Sequence, residues 1–145
     1  MSRTTAARIY VAIALFALIA TWRQNIGFLL EGERGVAGGL MDFWPALLAN
    51  RATISITADI FLFGLAAVLW MVSEARRLDM RLVWVYVLLS FVIAISVTFP
   101  LFLAAREHRL TAIGEKEGRL APRDLPGLGL LAAAIVGFSL YTLVR

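Results

Sequence analysis

The chain alternates long apolar stretches with short charged ones, and four of the apolar stretches are long enough to cross a bilayer. A hydrocarbon core of about 30 Å needs about 20 helical residues. Leu82 to Ala105 and Leu125 to Val144 meet that length without a charged residue. Thr53 to Ser73 meets it with one charge, Asp59, and Ile9 to Leu30 with one, Arg23. The pattern predicts an all-α membrane protein, a four-transmembrane-helix bundle with spans near 9–30, 53–73, 82–105 and 125–144. The short turn Glu74 to Arg81 makes the second and third spans an antiparallel hairpin.

Between the first two spans, Glu31 to Gly39 is glycine-rich and charged, after which Leu40, Trp44, Leu47 and Leu48 share one helical face. This predicts a short interfacial helix between helices 1 and 2. Asp42 suits its N-cap and Pro45 its first turn, where the missing N–H costs little. A structured loop anchored at the headgroups by Trp44 fits the same residues. From Ala105 to Asp124 the chain is polar and interrupted by Gly114, Gly118 and Pro122, which predicts a solvated loop.

Composition agrees with lipid as the solvent. Apolar residues make up 61% of the chain and charged residues 17%, against roughly half and a quarter in soluble domains. The 145 residues leave room for one integral membrane domain, 1–145, and none for a separate soluble catalytic domain. The absence of cysteine and the single histidine, His108, exclude thiolate metal sites, iron-sulfur clusters and bis-histidine haem within one chain. No metal site and no cofactor is therefore expected. The net charge of +4 comes from arginines set between apolar runs, which predicts membrane lipids as partners and no nucleic acid.

Arg3 and Arg8 ahead of an apolar run resemble a signal peptide, but no small-x-small cleavage site follows, so a retained first helix is expected. If all four segments cross, Arg3, Arg8, Arg76, Arg77, Arg81 and Arg145 fall on one side. Arg23, Arg34, Arg51, Arg106, Arg109, Lys116, Arg119 and Arg123 then fall on the other, so the positive-inside rule does not separate the faces. The basic N-terminus and the arginine-dense Glu74 to Arg81 turn favour cytoplasmic termini in a bacterial inner membrane.

Four alternating spans would also gather most of the near-membrane polar residues on one face. Asp59 would sit about 9 Å inside helix two, with Arg23 at a similar depth in helix one. A charge at that depth is costly unless paired or wet. The two are therefore expected to pair, either to fix helix register or, in a catalytic role, with Asp59 as proton donor or acceptor and Arg23 beside it. Asn25, Asn50, Arg51, Ser96, Thr98 and Arg106 would line the same pocket and contact a lipophilic small molecule. Pro100 is expected to interrupt the third helix near Ser96. Gly129, Ala133 and Gly137 recur every four residues and are expected to face another helix, inside the bundle or as a homo- or hetero-oligomer contact.

Phe43-Trp44, Asn50-Arg51-Ala52, Asp59, Glu74-Ala75-Arg76-Arg77 and Pro100-Leu101-Phe102-Leu103 with Arg106-Glu107 resemble a family of small bacterial multi-pass membrane proteins of unknown function. The resemblance covers roughly residues 9–110 and implies a fold but no activity. Asp59-Ile60-Phe61 followed by a short charged turn is faintly similar to the plant membrane proteins of neoxanthin formation. Two functions follow: a non-enzymatic accessory or lipid-interacting membrane protein, and an enzyme acting on an isoprenoid-like lipid through Asp59. A small transporter would need internal repeats and a second intramembrane acid, and the sequence has neither.

Overall fold

The computed structural model describes residues 1–31, 35–115 and 122–144. Among these the chain is helical: α1 (Arg3–Glu31), α2 (Gly35–Ala46), α3 (Arg51–Arg77), α4 (Val83–Val92), α5 (Ile95–Ala112), a 3-10 turn (Pro122–Asp124) and α6 (Leu125–Leu143). Three helices, α1, α3 and α6 with its leading turn, are long and apolar enough to cross a membrane, and α4 is a shorter apolar helix.

The segment 82–105 does not form the single straight span expected of it. It breaks at Ile93 and Ala94, and α5 folds back antiparallel along α4. The Ser90 and Thr98 hydroxyls meet at 2.6 Å across the turn, and Tyr86 and Phe102 stack edge-to-face at 5.7 Å one turn further out. Near the open end, Arg109 Nε donates to the Leu78 carbonyl. The polar residues of the break satisfy its backbone locally. Ala94 takes an extended conformation, and its carbonyl accepts from the Val97 and Thr98 amides and from the Thr98 hydroxyl. Trp22 of α1 donates its indole N–H to the Ile93 carbonyl at 3.2 Å. In an apolar surround, freed backbone groups need such partners. Pro100 is not the break: it lies buried within α5, six residues past the turn.

The core is built where this hairpin meets the C-terminal half of α3. Met71 and Ala75 of α3, Val83 and Val87 of α4 and Phe102 of α5 form one buried cluster, with Trp70 edge-on to Phe99 and Phe102. α1 runs along α5, with Ala6, Ala7 and Ala14 buried on α1 and Val97 and Ala104 on α5. Small side chains of this kind let membrane helices approach closely.

α6 packs differently. It touches α1 and its own leading turn, and none of its residues is buried. A Cβ added at Gly129 or Gly137 would meet nothing within 4 Å and Ala133 is exposed, so this stripe faces no helix among the described residues. The Gln24 amide donates to the Thr142 carbonyl at 2.7 Å, which ties the end of α6 to the far end of α1 from Arg3. The two ends of the described chain thus lie at opposite ends of the molecule, not on one face.

α2 is a helix as expected but starts earlier, so Asp42 and Pro45 fall inside it and not at its first turn. It folds back on the end of α1. Gly39 lies so close that an added Cβ would sit 2.9 Å from the Leu29 Cα. α3 opens on a capping box in which the Asn50 side chain accepts from the Thr53 amide and the Thr53 hydroxyl returns to the Asn50 amide. The expected loop 105–124 starts late, because α5 continues to Ala112, and Gly114 with φ +68 turns the chain just past its end.

Candidate functional site

The hairpin changes which polar residues meet. Residues at the end of α5 return to the level of the α1 N-terminus and the α3 C-terminus, where they build an ion-pair network. Glu74, buried on the last turn of α3, accepts from Arg77 at 2.7 and 2.8 Å and from Arg106 Nε at 2.6 Å. Arg106 also reaches Glu107 at 2.8 Å, and Glu107 accepts from Arg3 at 3.1 Å. Arg3 continues to the Glu115 carbonyl and Arg77 to the Glu115 carboxylate, both at 3.1 Å. The Arg106 guanidinium lies 5.7 Å from the Trp70 ring centre, within cation-π range. The network joins α1, α3 and α5 at one end, with its carboxylates already taken by guanidinium groups.

At the other end lies an open cleft of about 370 Å³. Its walls include Gln24, Asn25, Phe28 and Glu31 of α1, Phe43 of α2 and Thr53 of α3. Phe28 and Phe43 meet edge-to-face at 5.8 Å. The cleft exists because Gly39 lets α2 lie against α1 while the capping box starts α3 beside it.

The sequence-predicted site residues are therefore dispersed. Asn25 lines the cleft; Asn50 is committed to the α3 cap. Arg51 is exposed on the first turn of α3, and Ser96 is exposed beside the hairpin turn. Thr98 is buried against Ser90, and Arg106 belongs to the network at the opposite end. Arg23 and Asp59 are both exposed and do not pair. No residue of α1 comes within 8 Å of α3, Cα to Cα, and the Asp59 carboxylate has no partner among the described residues. Glu74 and Arg3 of the network and Phe28 and Glu31 of the cleft are residues that counting spans does not find. Arg34, Lys116, Arg119 and Arg145 lie outside the described residues. Among the described residues no group of three or more His, Cys, Asp or Glu is placed to hold a metal ion.

Residues 9–108 match the family model described as Protein of unknown function DUF2834. The chain belongs to this family. The matched region spans most of α1, all of α2, α3 and α4 and most of α5, and it ends before α6. No curated protein and no solved structure matches the chain.

Proposed function

We propose that this DUF2834 protein is a multi-pass membrane protein that works as a non-enzymatic, lipid-interacting module. In this reading α1, α3 and α6 cross the bilayer, and α4 and α5 enter from one side and return. The observation that carries it is the separation of the molecule's buried ion pairs from its cleft. The buried ionisable groups Arg3 and Glu74 are held in an ion-pair network at one end, while the cleft at the other end combines aromatic rings and amides with the Glu31 carboxylate. A cleft of mixed polarity at the end of a membrane helix suits an amphiphile.

The same arrangement supports an orientation. α4 is about 15 Å long, half of a bilayer core, and its return brings Arg106 and Arg109 to the end that carries Arg3, Arg8, Arg76, Arg77 and Arg81. Only Arg23 and Arg51, of the arginines placed by the helices, remain at the other end. The positive-inside rule then puts the Arg3 end in the cytoplasm and the end of α6 outside, in the inner membrane of a bacterium. The chain's lack of cysteine makes the test clean. Ser2→Cys and Asp79→Cys should react with an impermeant maleimide only from the cytoplasmic side, and Val144→Cys only from the outside. Labelling of all three from one side would refute the topology, and mass spectrometry finding no lipid retained by the purified protein would refute the lipid-binding role.

One observation keeps the enzymatic reading alongside it. The Asp59 carboxylate, about 12 Å along α3, is exposed with no partner among the described residues, where an isoprenoid-like lipid could receive or give a proton. Loss of turnover in Asp59→Asn, once a substrate is found, is what that reading requires. The free face of α6 with its Gly129, Ala133 and Gly137 stripe likewise fits packing against a second subunit, which cross-linking in native membranes would detect.

A further inference from the structure

We infer that the cleft between α1, α2 and α3 binds an ammonium group carried on an apolar tail. The inference rests on the lipid-interacting reading above and names the chemistry of the ligand. About 370 Å³ is within the size range of small-molecule sites. Two of its polar walls are already spent. The Gln24 amide donates to Thr142, and the Thr53 hydroxyl donates to the Asn50 carbonyl and accepts from its amide.

What remains for a ligand is Asn25 and the Glu31 carboxylate. Glu31 Oε1 lies 4.0 Å from where a Cβ on Gly27 would be, so the side chain folds back along α1 toward the cleft. Glu31 makes no ion pair with a described residue, and no described lysine or arginine lines the cleft. The walls therefore offer a cation an unpaired carboxylate, which accepts charge-assisted hydrogen bonds, and the rings of Phe28 and Phe43, whose faces attract cations. An anionic headgroup would meet the carboxylate with no counter-charge from the described walls. Phe28 and Leu47 continue the lining as apolar surface for the first carbons of a tail. α1 is about 43 Å long, so its last turns stand near the headgroup level opposite the Arg3 end, where such ligands present their amines.

The full chain in detergent, titrated calorimetrically with dihexanoylphosphatidylethanolamine, is expected to bind one lipid per chain. Dihexanoylphosphatidylglycerol should bind at least about tenfold more weakly, and Glu31→Gln should weaken the ethanolamine lipid by about tenfold. Phe43→Leu, which leaves the charge intact, should weaken it by a smaller factor. Ethanolamine hydrochloride competing at the same concentration as the lipid would support a soluble amine as the source, and failure to compete would support a lipid headgroup. Equal affinity for the two lipids, or an unchanged affinity in Glu31→Gln, would overturn ammonium recognition while leaving lipid binding in place. Binding of neither lipid would overturn both.

Discussion

The two ends of the molecule solve opposite problems with the same residue types. At the Arg3 end, four guanidinium groups and three carboxylates interlock with three helices and sit beside the Met71, Val83 and Phe102 core. At the cleft end, the helices are joined by a glycine contact and a cap, and a carboxylate, Glu31, is left unpaired among the described residues. Charge is used for cohesion where it is saturated, and is available to a ligand where it is not. Removing charge should therefore destabilise one end and leave the stability of the other unchanged.

The largest effect is expected at Glu74. Truncation to Ala leaves Arg106 and Arg77 without their shared acceptor, and breaking a buried pair from one side costs about 3 to 5 kcal/mol. Arg77 is half exposed and recovers water, so the lower value is expected. The melting temperature in detergent should fall by several degrees, and hydrogen exchange should rise at the ends of α1, α3 and α5 together. A change confined to α3 would mean that the network does not couple the three helices.

Gly39→Val should follow. Its Cβ would collide with the Leu29 backbone, and overpacking a close contact costs about 1 to 3 kcal/mol. The loss should be local: exchange rises in α2 and the proposed amine binding in the cleft weakens, while the α4 and α5 hairpin keeps its protection. Equal loosening at both ends would contradict the division between them.

How much of this is readable from the sequence depends on what hydropathy measures. α1, α3 and α6 are legible because each is an apolar run of sufficient length, and the helix between the first two is legible from the face shared by Leu40 and Trp44. The hairpin is not, because residues 82–105 have the same length and hydropathy whether the helix crosses or returns. One signal does point to it. Read as a span, that segment splits the arginines evenly between faces; read as a return, it gathers Arg106 and Arg109 with Arg3, Arg76 and Arg77. The Arg23 and Asp59 pairing fails for the same reason, since matching depth says nothing about which helices are neighbours, and α5 rather than α3 lies along α1.

Between the two ends, Trp22 closes the hairpin turn. Trp22→Phe keeps the ring and removes the donor to Ile93, which leaves a partly buried carbonyl unmatched at a cost of about 1 to 2 kcal/mol. Exchange should increase around Ile93 and Ala94 first. If it does not, Ser90 and Thr98 alone hold the turn.

The smallest effect is expected where the sequence alone suggests the largest. If Asp59 were the buried partner of Arg23, Asp59→Asn would orphan a cation and cost several kcal/mol. In the folded chain the two side chains are exposed and separated, with α1 packed on α5. Removing the carboxylate therefore breaks no contact among the described residues, and the change should stay within about 0.5 kcal/mol. Arg23→Met should behave alike, and the double variant should equal the sum of the singles because no interaction couples the sites. The three variants melted side by side in one detergent make a double-mutant cycle. A coupling above about 1 kcal/mol would mean that the charges meet in the native membrane, and that α1 and α3 approach each other more closely there. Additivity with a marked loss in Asp59→Asn alone would point instead to a partner outside the chain, with the outward face of α3 as the place to look for it.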